Sequence, residues 1–439
     1  MAITAAERRV FAGLGLVVAA GLASLGSCTP GAPPAELPAP EPIPRPQAEG
    51  PTPTAESAEP RIRIGLAVGV PSAIVGGGGD LVVTDPSGAR LAAIPAGEQW
   101  RAVPAGIGVS VQPPGRVGST PSEMIAIVPA EAGGLVRVNG RTYRGTVEVV
   151  RDTAGITVVN RLLLETYLPG VVSAEMGRRT LAEFEALKAQ TVVSRTYAIR
   201  NLGRRASLGF DLHAGTSDQV YVGAGSETTE GLEAVQATRG MALTYNGAPI
   251  NAFYYSTCGG QTADPVEAFG ASAQPYLRSA PDVDENGEAY CRISPRYRWR
   301  EEWSGASLQT TLRRTLPAVR KVPTERVSSV RDIWVVQRTP SGRVGRLGIT
   351  LGANQVMVDG PWVRQVLAPF NGDLLRSAAF TLTATGTGGA ISHLVAEGRG
   401  AGHGVGLCQW GAVGRSRAGQ NFQRILAAYY PGTTLERVY

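Results

Sequence analysis

The chain has 439 residues, 43% of them hydrophobic, which suits one large folded domain or two of ordinary size and excludes a chain disordered throughout. Its formal charge is +6, with 42 Lys and Arg against 36 Asp and Glu. The arginines are dispersed and no stripe interleaves them with aromatics, so the charge is no sign of nucleic-acid binding and no nucleic-acid partner is expected, while an anionic setting such as a cell wall or membrane surface fits.

The N-terminus carries Arg8 and Arg9, an apolar run from Val10 to Leu25, and then Leu25-Gly26-Ser27-Cys28. Residues 1–27 read as an export signal too short to span a membrane. Small residues before a cysteine resemble a bacterial lipoprotein cleavage box, making Cys28 the lipidated first residue of the exported chain and a membrane anchor. Arg8-Arg9-Val10-Phe11 also resembles a twin-arginine export pattern. The expected location is the cell envelope, on its periplasmic or extracytoplasmic face. Residues 28–60, dense in Pro, Ala, Glu and Thr, cannot bury a core and are expected to form an extended tether.

From Arg61 to about Val159, short β-branched runs alternate with turn formers, and Val138-Asn139-Gly140-Arg141 is a hairpin signature. This stretch, 61–159, is expected to be β-rich. Beyond it, Leu164, Tyr167, Leu168, Val171, Val172 and Glu175 follow at steps of three and four, the stripe of a helix facing the protein. Glu175 is then a carboxylate on an apolar face. Burial raises a carboxyl pKa, which suits a general acid, although a buried Glu also serves as a structural hydrogen-bonding residue. Pro169 bears on where this helix begins. Thr180 and Glu183 form a capping box for a second helix that opens at Leu181, with Gly203 near its end. Small side chains from Ala186 to Ala198 mark it as central. Arg195 on that helix needs a carboxylate or a ligand as acceptor, unless it snorkels outward beside Lys188. A helix over 229–238, a strand pair turning at Asn246-Gly247, and strands over 343–350 and 378–384 follow. The segment around Tyr297, Arg298, Trp299, Arg300 and Trp303 reads as an ordinary strand with solvated charges.

Residues 398–414, GRGAGHGVGLCQWGAVG, lack the spacing and the Gly-Lys-Ser/Thr ending of a phosphate loop. The loop presents His403, Gln409 and Trp410, which suit hydrogen bonding and stacking against a sugar; the alternative is a tight turn before a helix. Among the cysteines of an exported chain, Cys258 and Cys291 are the preferred disulfide pair, with Cys408 belonging to another motif. No Cys-x-x-Cys or His-x-x-x-His spacing marks a metal site. A cysteine peptidase built on Cys408 and His403 lacks an orienting partner.

The segments Leu164-Glu165-Thr166-Tyr167-Leu168, Gly170-Val171-Val172-Ser173-Ala174-Glu175-Met176 and Glu185-Ala186-Leu187-Lys188-Ala189-Gln190 resemble the SpoIID/LytB family of cell-wall proteins. So do Ser194-Arg195-Thr196-Tyr197-Ala198, Tyr255-Ser256-Thr257-Cys258-Gly259-Gly260-Gln261-Thr262 and the glycine loop from Gly402 to Ala412, in the same order. The resemblance implies an α+β fold, with a β-rich part packed on a mixed helix and strand catalytic core over residues 160–439 and an open glycan cleft. It implies a lytic transglycosylase that cuts peptidoglycan glycan strands, stripped of stem peptides in the best-known member, to leave 1,6-anhydromuramyl ends. Glu175 matches the proposed catalytic residue of that family. Arg195, Tyr197, Ser256, His403 and Gln409 are the matched polar positions expected to bind the sugar. The family also includes non-catalytic wall-binding proteins and amidase activators, so a cell-wall amidase is a further possible partner. The chain departs from the pattern at Cys408, where Ser is common, and at Pro169. The His and Cys spacing that binds zinc in some clostridial members is not apparent, so no metal and no cofactor is expected.

Overall fold

The protein was described with a computed structural model covering residues 58–369 and 371–439. The expected signal, the lipidation site Cys28 and all but the last three residues of the tether lie outside the described residues. Within them the fold is α+β, with eight α-helices and several sheets. No described helix is long and apolar enough to cross a membrane.

Alternating β-branched residues build two sheets from the N-terminal region. A seven-stranded sheet runs in the order Leu212–His213, Arg61–Val70, Gly155–Leu163, Thr146–Asp152, Met124–Pro129, Leu81–Thr84 and Arg90–Ile94. A five-stranded sheet contains the expected hairpin, Val136–Val138 with Arg141–Tyr143. Asn139 and Gly140 turn it at φ 47° and 85°, as a two-residue primed turn requires. The strand Gly155–Leu163 leads directly into helix α1, Leu164–Met176, so residue 159 lies inside a strand and a single apolar cluster continues from Ile62 to Tyr430 across it.

The packing divides elsewhere. A second apolar cluster is built from Trp303, Leu308, Leu312, Leu316, Leu347, Ile349, Val363 and Leu394, all within 298–399. Its sheets are Arg298–Ser304 with the hairpin of Phe380–Thr387 and Ala390–Arg399, and Val330–Arg338 with Val344–Leu351 and Asn354–Asp359. The chain leaves the first cluster, builds this lobe and returns, because Tyr254–Tyr255 pairs in parallel with Leu407–Cys408. In the strand Arg298–Ser304, Trp299 and Trp303 point inward while Arg298 and Arg300 stay exposed.

Pro169 lies inside α1 and does not delay its start. It sits in the second turn, where the ring removes one donor while the packing on every side holds the helix: of its thirteen residues only Thr166, Ala174 and Glu175 escape full burial. Gly170 permits that fit, since a Cβ there would stand 2.8 Å from the Tyr221 ring. The second helix begins with a single 3-10 turn, Leu181–Glu183, closed by the Thr180 N–H on the Glu183 carboxylate at 3.1 Å. Helix α2 proper is Phe184–Arg200, buried continuously from Ala189 to Ala198.

A bidentate ion pair joins the two helices. Arg195 Nε and Nη2 bond Glu165 Oε1 and Oε2 at 2.8 and 2.9 Å, with Arg195 fully buried. The remaining guanidinium N–H groups reach the carbonyls of Met241 and Val235, while Glu165 also accepts from the Gly240 N–H and the Tyr439 hydroxyl. Burial pushes the Glu165 carboxyl up, but these donors, Arg195 foremost, hold it below its ordinary value. Removing one partner strands a buried charge, which costs about 3–5 kcal/mol. Glu165→Ala should therefore lower the unfolding free energy by about that amount in urea titration. Because the folded carboxyl titrates low, its contribution is intact above the ordinary value of 4.5 and fades as pH falls through the lower folded value. The stability of Glu165→Gln should accordingly fall less steeply with acid than that of the native protein.

Candidate functional site

Helix α1 ends at Met176, and Gly177 caps it by donating its N–H to the Ser173 carbonyl at 2.9 Å. Glu175 therefore occupies the last turn. Its side chain reaches out of the packed helix into a ring of donors from three other segments. Glu175 Oε1 accepts the Val220 N–H at 2.9 Å and the Tyr254 hydroxyl at 3.0 Å, and Oε2 accepts Gln409 Nε2 at 3.2 Å. Burial pushes the carboxyl pKa up, the three donors pull it back, and the net direction is upward. The negative end of the α1 dipole also disfavours a charge in this turn.

Each donor is itself held. Gln409 opens helix α3, Gln409–Arg417, whose N-cap is Cys408. Tyr254 accepts from Gln219 Nε2 at 3.4 Å, and Gln219 in turn accepts from the Tyr167 hydroxyl of α1. The loop that presents the Val220 N–H is pinned through Asp218, which takes Tyr197 Oη at 3.1 Å, the His213 N–H at 2.9 Å, and ion pairs from Arg204 and Arg205. Burial and the Asp218 charge push the Tyr197 hydroxyl up to about 12, so it stays a donor. His403 supports Tyr254 from behind. Its Nδ1 accepts the Val405 N–H at 3.1 Å, so Nε2 carries the hydrogen and donates to the Tyr254 carbonyl at 2.9 Å. Burial, with Arg364 and Arg343 nearby, draws its pKa down to about 4 and keeps the ring neutral.

Of the expected sugar-binding positions, Gln409 touches Glu175 directly, while His403 and Tyr197 act through the residues that do. Ser256 gives its carbonyl to the Trp410 N–H at 3.0 Å, anchoring the first turn of α3, and its hydroxyl meets Thr257 at 3.1 Å. Arg195 is withdrawn entirely: its acceptor is the carboxylate of Glu165, and no exposed surface remains for a ligand. The two decisive donors absent from the sequence reading are Tyr254 and the Val220 main chain. Tyr254 sits in the aromatic run Phe253-Tyr254-Tyr255, just ahead of Ser-Thr-Cys-Gly-Gly. A backbone N–H leaves no residue signal at all. Beside the cluster, the Arg179 guanidinium stacks 4.6 Å over the partly exposed Trp410 ring. A cleft of about 750 Å³ belongs instead to the second lobe, lined by Arg298, Arg300, Arg338 and Arg399, and shares no residue with the ring around Glu175.

The expected disulfide is corrected. Cys258 and Cys291 are neighbours, but as buried free thiols 3.4 Å apart, beyond the bond length of about 2.05 Å. Cys408, expected to stand apart, joins them. The parallel pairing of Tyr255 with Cys408 brings it there.

Residues 152–245 match the SpoIID family model, described as Stage II sporulation protein, and residues 277–406 match a domain of unknown function, DUF8618. The chain is 33% identical over 307 residues to Stage II sporulation protein D of Bacillus subtilis, covering 65% of this chain and 78% of that protein. It is 31% identical over 299 residues to an uncharacterised protein of Brachyspira hyodysenteriae, covering 68% and 73%. The Amidase enhancer of Bacillus subtilis matches at 29% over 335 residues, covering 68% of this chain but 45% of that protein. The chain belongs to the SpoIID family. Residues 152–245 include α1, Glu165, Glu175, Arg195 and the loop of Val220, whereas the second lobe falls within the other match.

A carboxyl whose folded pKa lies above its unfolded value stabilises the fold below the unfolded value and loses that contribution as pH rises through the folded one. Glu175→Gln should therefore gain in melting temperature relative to the native protein as pH is raised from 4.5, the ordinary value, toward neutrality. A difference that stays flat or declines over that range contradicts the upward shift.

Proposed function

We propose that the protein is an exported lytic transglycosylase that cleaves the bond between MurNAc and GlcNAc in peptidoglycan glycan strands, with Glu175 as acid and then base. One observation carries this reading: a desolvated carboxyl in a ring of neutral donors, with no second carboxylate among the described residues bonded to it or to those donors. Hydrolases of the usual kind need two carboxylates, because water must be activated separately. A reaction closed by the substrate's own hydroxyl needs one. Oε1 is filled by two donors and Oε2 by one, which makes Oε2 the atom to hold the proton. Glu175 delivers that proton to the glycosidic oxygen as the bond to the muramic C1 breaks, and GlcNAc leaves with a 4-hydroxyl. The carboxylate so formed, stabilised by Val220, Tyr254 and Gln409, takes the proton of the muramic C6 hydroxyl as O6 bonds to C1. No water enters, and the anhydro ring is the product. His403 and Tyr197 are positioning residues in this scheme. Trp410, Arg179 and Ser256, all partly exposed, are the surface assigned to sugar rings in this reading, and Arg195 acts only through Glu165.

The names carried by its relatives fit a cell-wall setting, with a lipid anchor through Cys28 at the envelope. The similarity to an amidase enhancer favours a second reading, a non-catalytic wall-binding protein that activates an amidase. Incubating the mature protein with intact and with amidase-denuded glycan strands, followed by mass spectrometry, separates the two. Anhydromuramyl ends are expected on the denuded strands, falling by at least about a hundredfold in Glu175→Gln, the scale of a lost general acid. Absence of product on both substrates, or undiminished product from that variant, overturns the enzymatic reading. In addition, Tyr254→Phe removes a donor that favours the carboxylate. The basic limb of its pH–rate profile should move to higher pH.

A further inference from the structure

Three cysteines separated by as many as 150 residues meet in one buried place. The Sγ atoms of Cys258, Cys291 and Cys408 all lie within 4.8 Å of one another, with 3.4 Å between the first two. A tetrahedral zinc ion with bonds of about 2.3 Å to sulfur sets its sulfurs about 3.8 Å apart, so the triangle needs only small side-chain adjustments to take one. The backbone around it is shaped for thiolate sulfur. The N–H groups of Cys258 and Gly411 point at Cys408 Sγ at 3.1 and 3.2 Å, and that of Gly260 at Cys258 Sγ at 3.2 Å. Gly259 and Gly260, at φ 75° and 95°, turn their N–H groups toward Cys291, a path that a side chain would strain. Cysteines packed merely as small apolar residues do not need such an array of donors.

A fourth donor is at hand. Asp282 is only 1% exposed, and its Oδ2 stands 3.2 Å from Cys258 Sγ, near the separation of about 3.5 Å that an oxygen and a sulfur take on one zinc ion. Its other oxygen is held by Arg415 at 2.9 Å, and Tyr429 donates to Oδ2 at 2.9 Å. That guanidinium and the N–H groups balance the negative charge left when three thiolates and a carboxylate meet a divalent ion. Hydrogen bonds from the neighbouring thiols already draw Cys291 well below its ordinary value, whereas burial pushes Cys258 and Cys408 up. Metal binding would release their protons to solvent.

We infer that Cys258, Cys291 and Cys408 form a structural zinc site, with Asp282 as the oxygen donor at the fourth position. Its place in the fold gives it a task. Cys258 lies four residues after Tyr254, Cys408 immediately precedes Gln409 and caps α3, and Cys291 lies just before the chain enters the second lobe at Arg298. The ion would staple the segments that carry two of the donors to Glu175, without touching Glu175.

The test is the metal content of the full exported chain, purified without chelators and dialysed into metal-free buffer. About one zinc ion per chain is expected, with an X-ray absorption spectrum showing about three sulfurs and one lighter donor. Cobalt(II) exchanged into the site should give intense thiolate charge-transfer bands that Cys291→Ser weakens. If that variant fails to fold, the stoichiometry and spectra of the native chain decide alone. A chain that takes up neither zinc nor cobalt with its three thiols reduced overturns the proposal. So does a mass lighter by two hydrogens with Cys258 and Cys291 linked.

Discussion

A helix with no solvent-facing side ends in a carboxylate, and the rest of the site follows from that constraint. The packing of α1 against its neighbouring helices and the strand that precedes it leaves Glu175 only partly exposed in the last turn. Its charge must be stabilised locally or suppressed. Neutral donors give partial stabilisation of the carboxylate, and burial outweighs them, so the net shift of the carboxyl is upward. An arginine in the same place would have fixed the ionised state. The fold has an arginine nearby in sequence, Arg195, and commits it to Glu165 at the opposite end of α1. Two glutamates of one helix are thereby driven in opposite directions, Glu165 toward the anion and Glu175 toward the acid.

The donors to Glu175 come from positions 45, 79 and 234 residues away along the chain, so none is set by local structure. Their convergence relies on the return of the chain from the second lobe, where a short parallel pairing sets Leu407 and Cys408 beside Tyr254 and Tyr255. His403 strengthens that junction from the glycine loop, and the cysteine cluster lies at its other end. Gln409 and Tyr254 are thus aimed by one seam.

Much of this was legible in the residues. The apolar steps from Leu164 to Val172 announced a buried helix, Ala186 to Ala198 a central one, and the Asn-Gly pairs their hairpins, because periodicity and turn chemistry are local. Glu175 stood out for the same reason. What escaped was non-local. Arg195 asked for a partner, but no spacing could say that the partner was Glu165 and not a ligand. Tyr254 looked like one aromatic in a strand, since its importance lies in what its hydroxyl meets across the fold. The motifs set Cys408 apart from Cys258 and Cys291, and a pairing between distant strands brings it beside them. Pro169 looked like a helix boundary, whereas tertiary packing absorbed the missing donor. The inserted lobe likewise left no compositional break at its edges.

Burial makes Glu175 hold its proton more tightly than an ordinary glutamate does. Difference infrared spectroscopy across a pH titration, native protein minus Glu175→Gln, isolates the carboxylic acid stretch of this one group. Its protonated band is expected to persist above the ordinary value of 4.5 and to disappear only at higher pH. A midpoint at or below that value would contradict it.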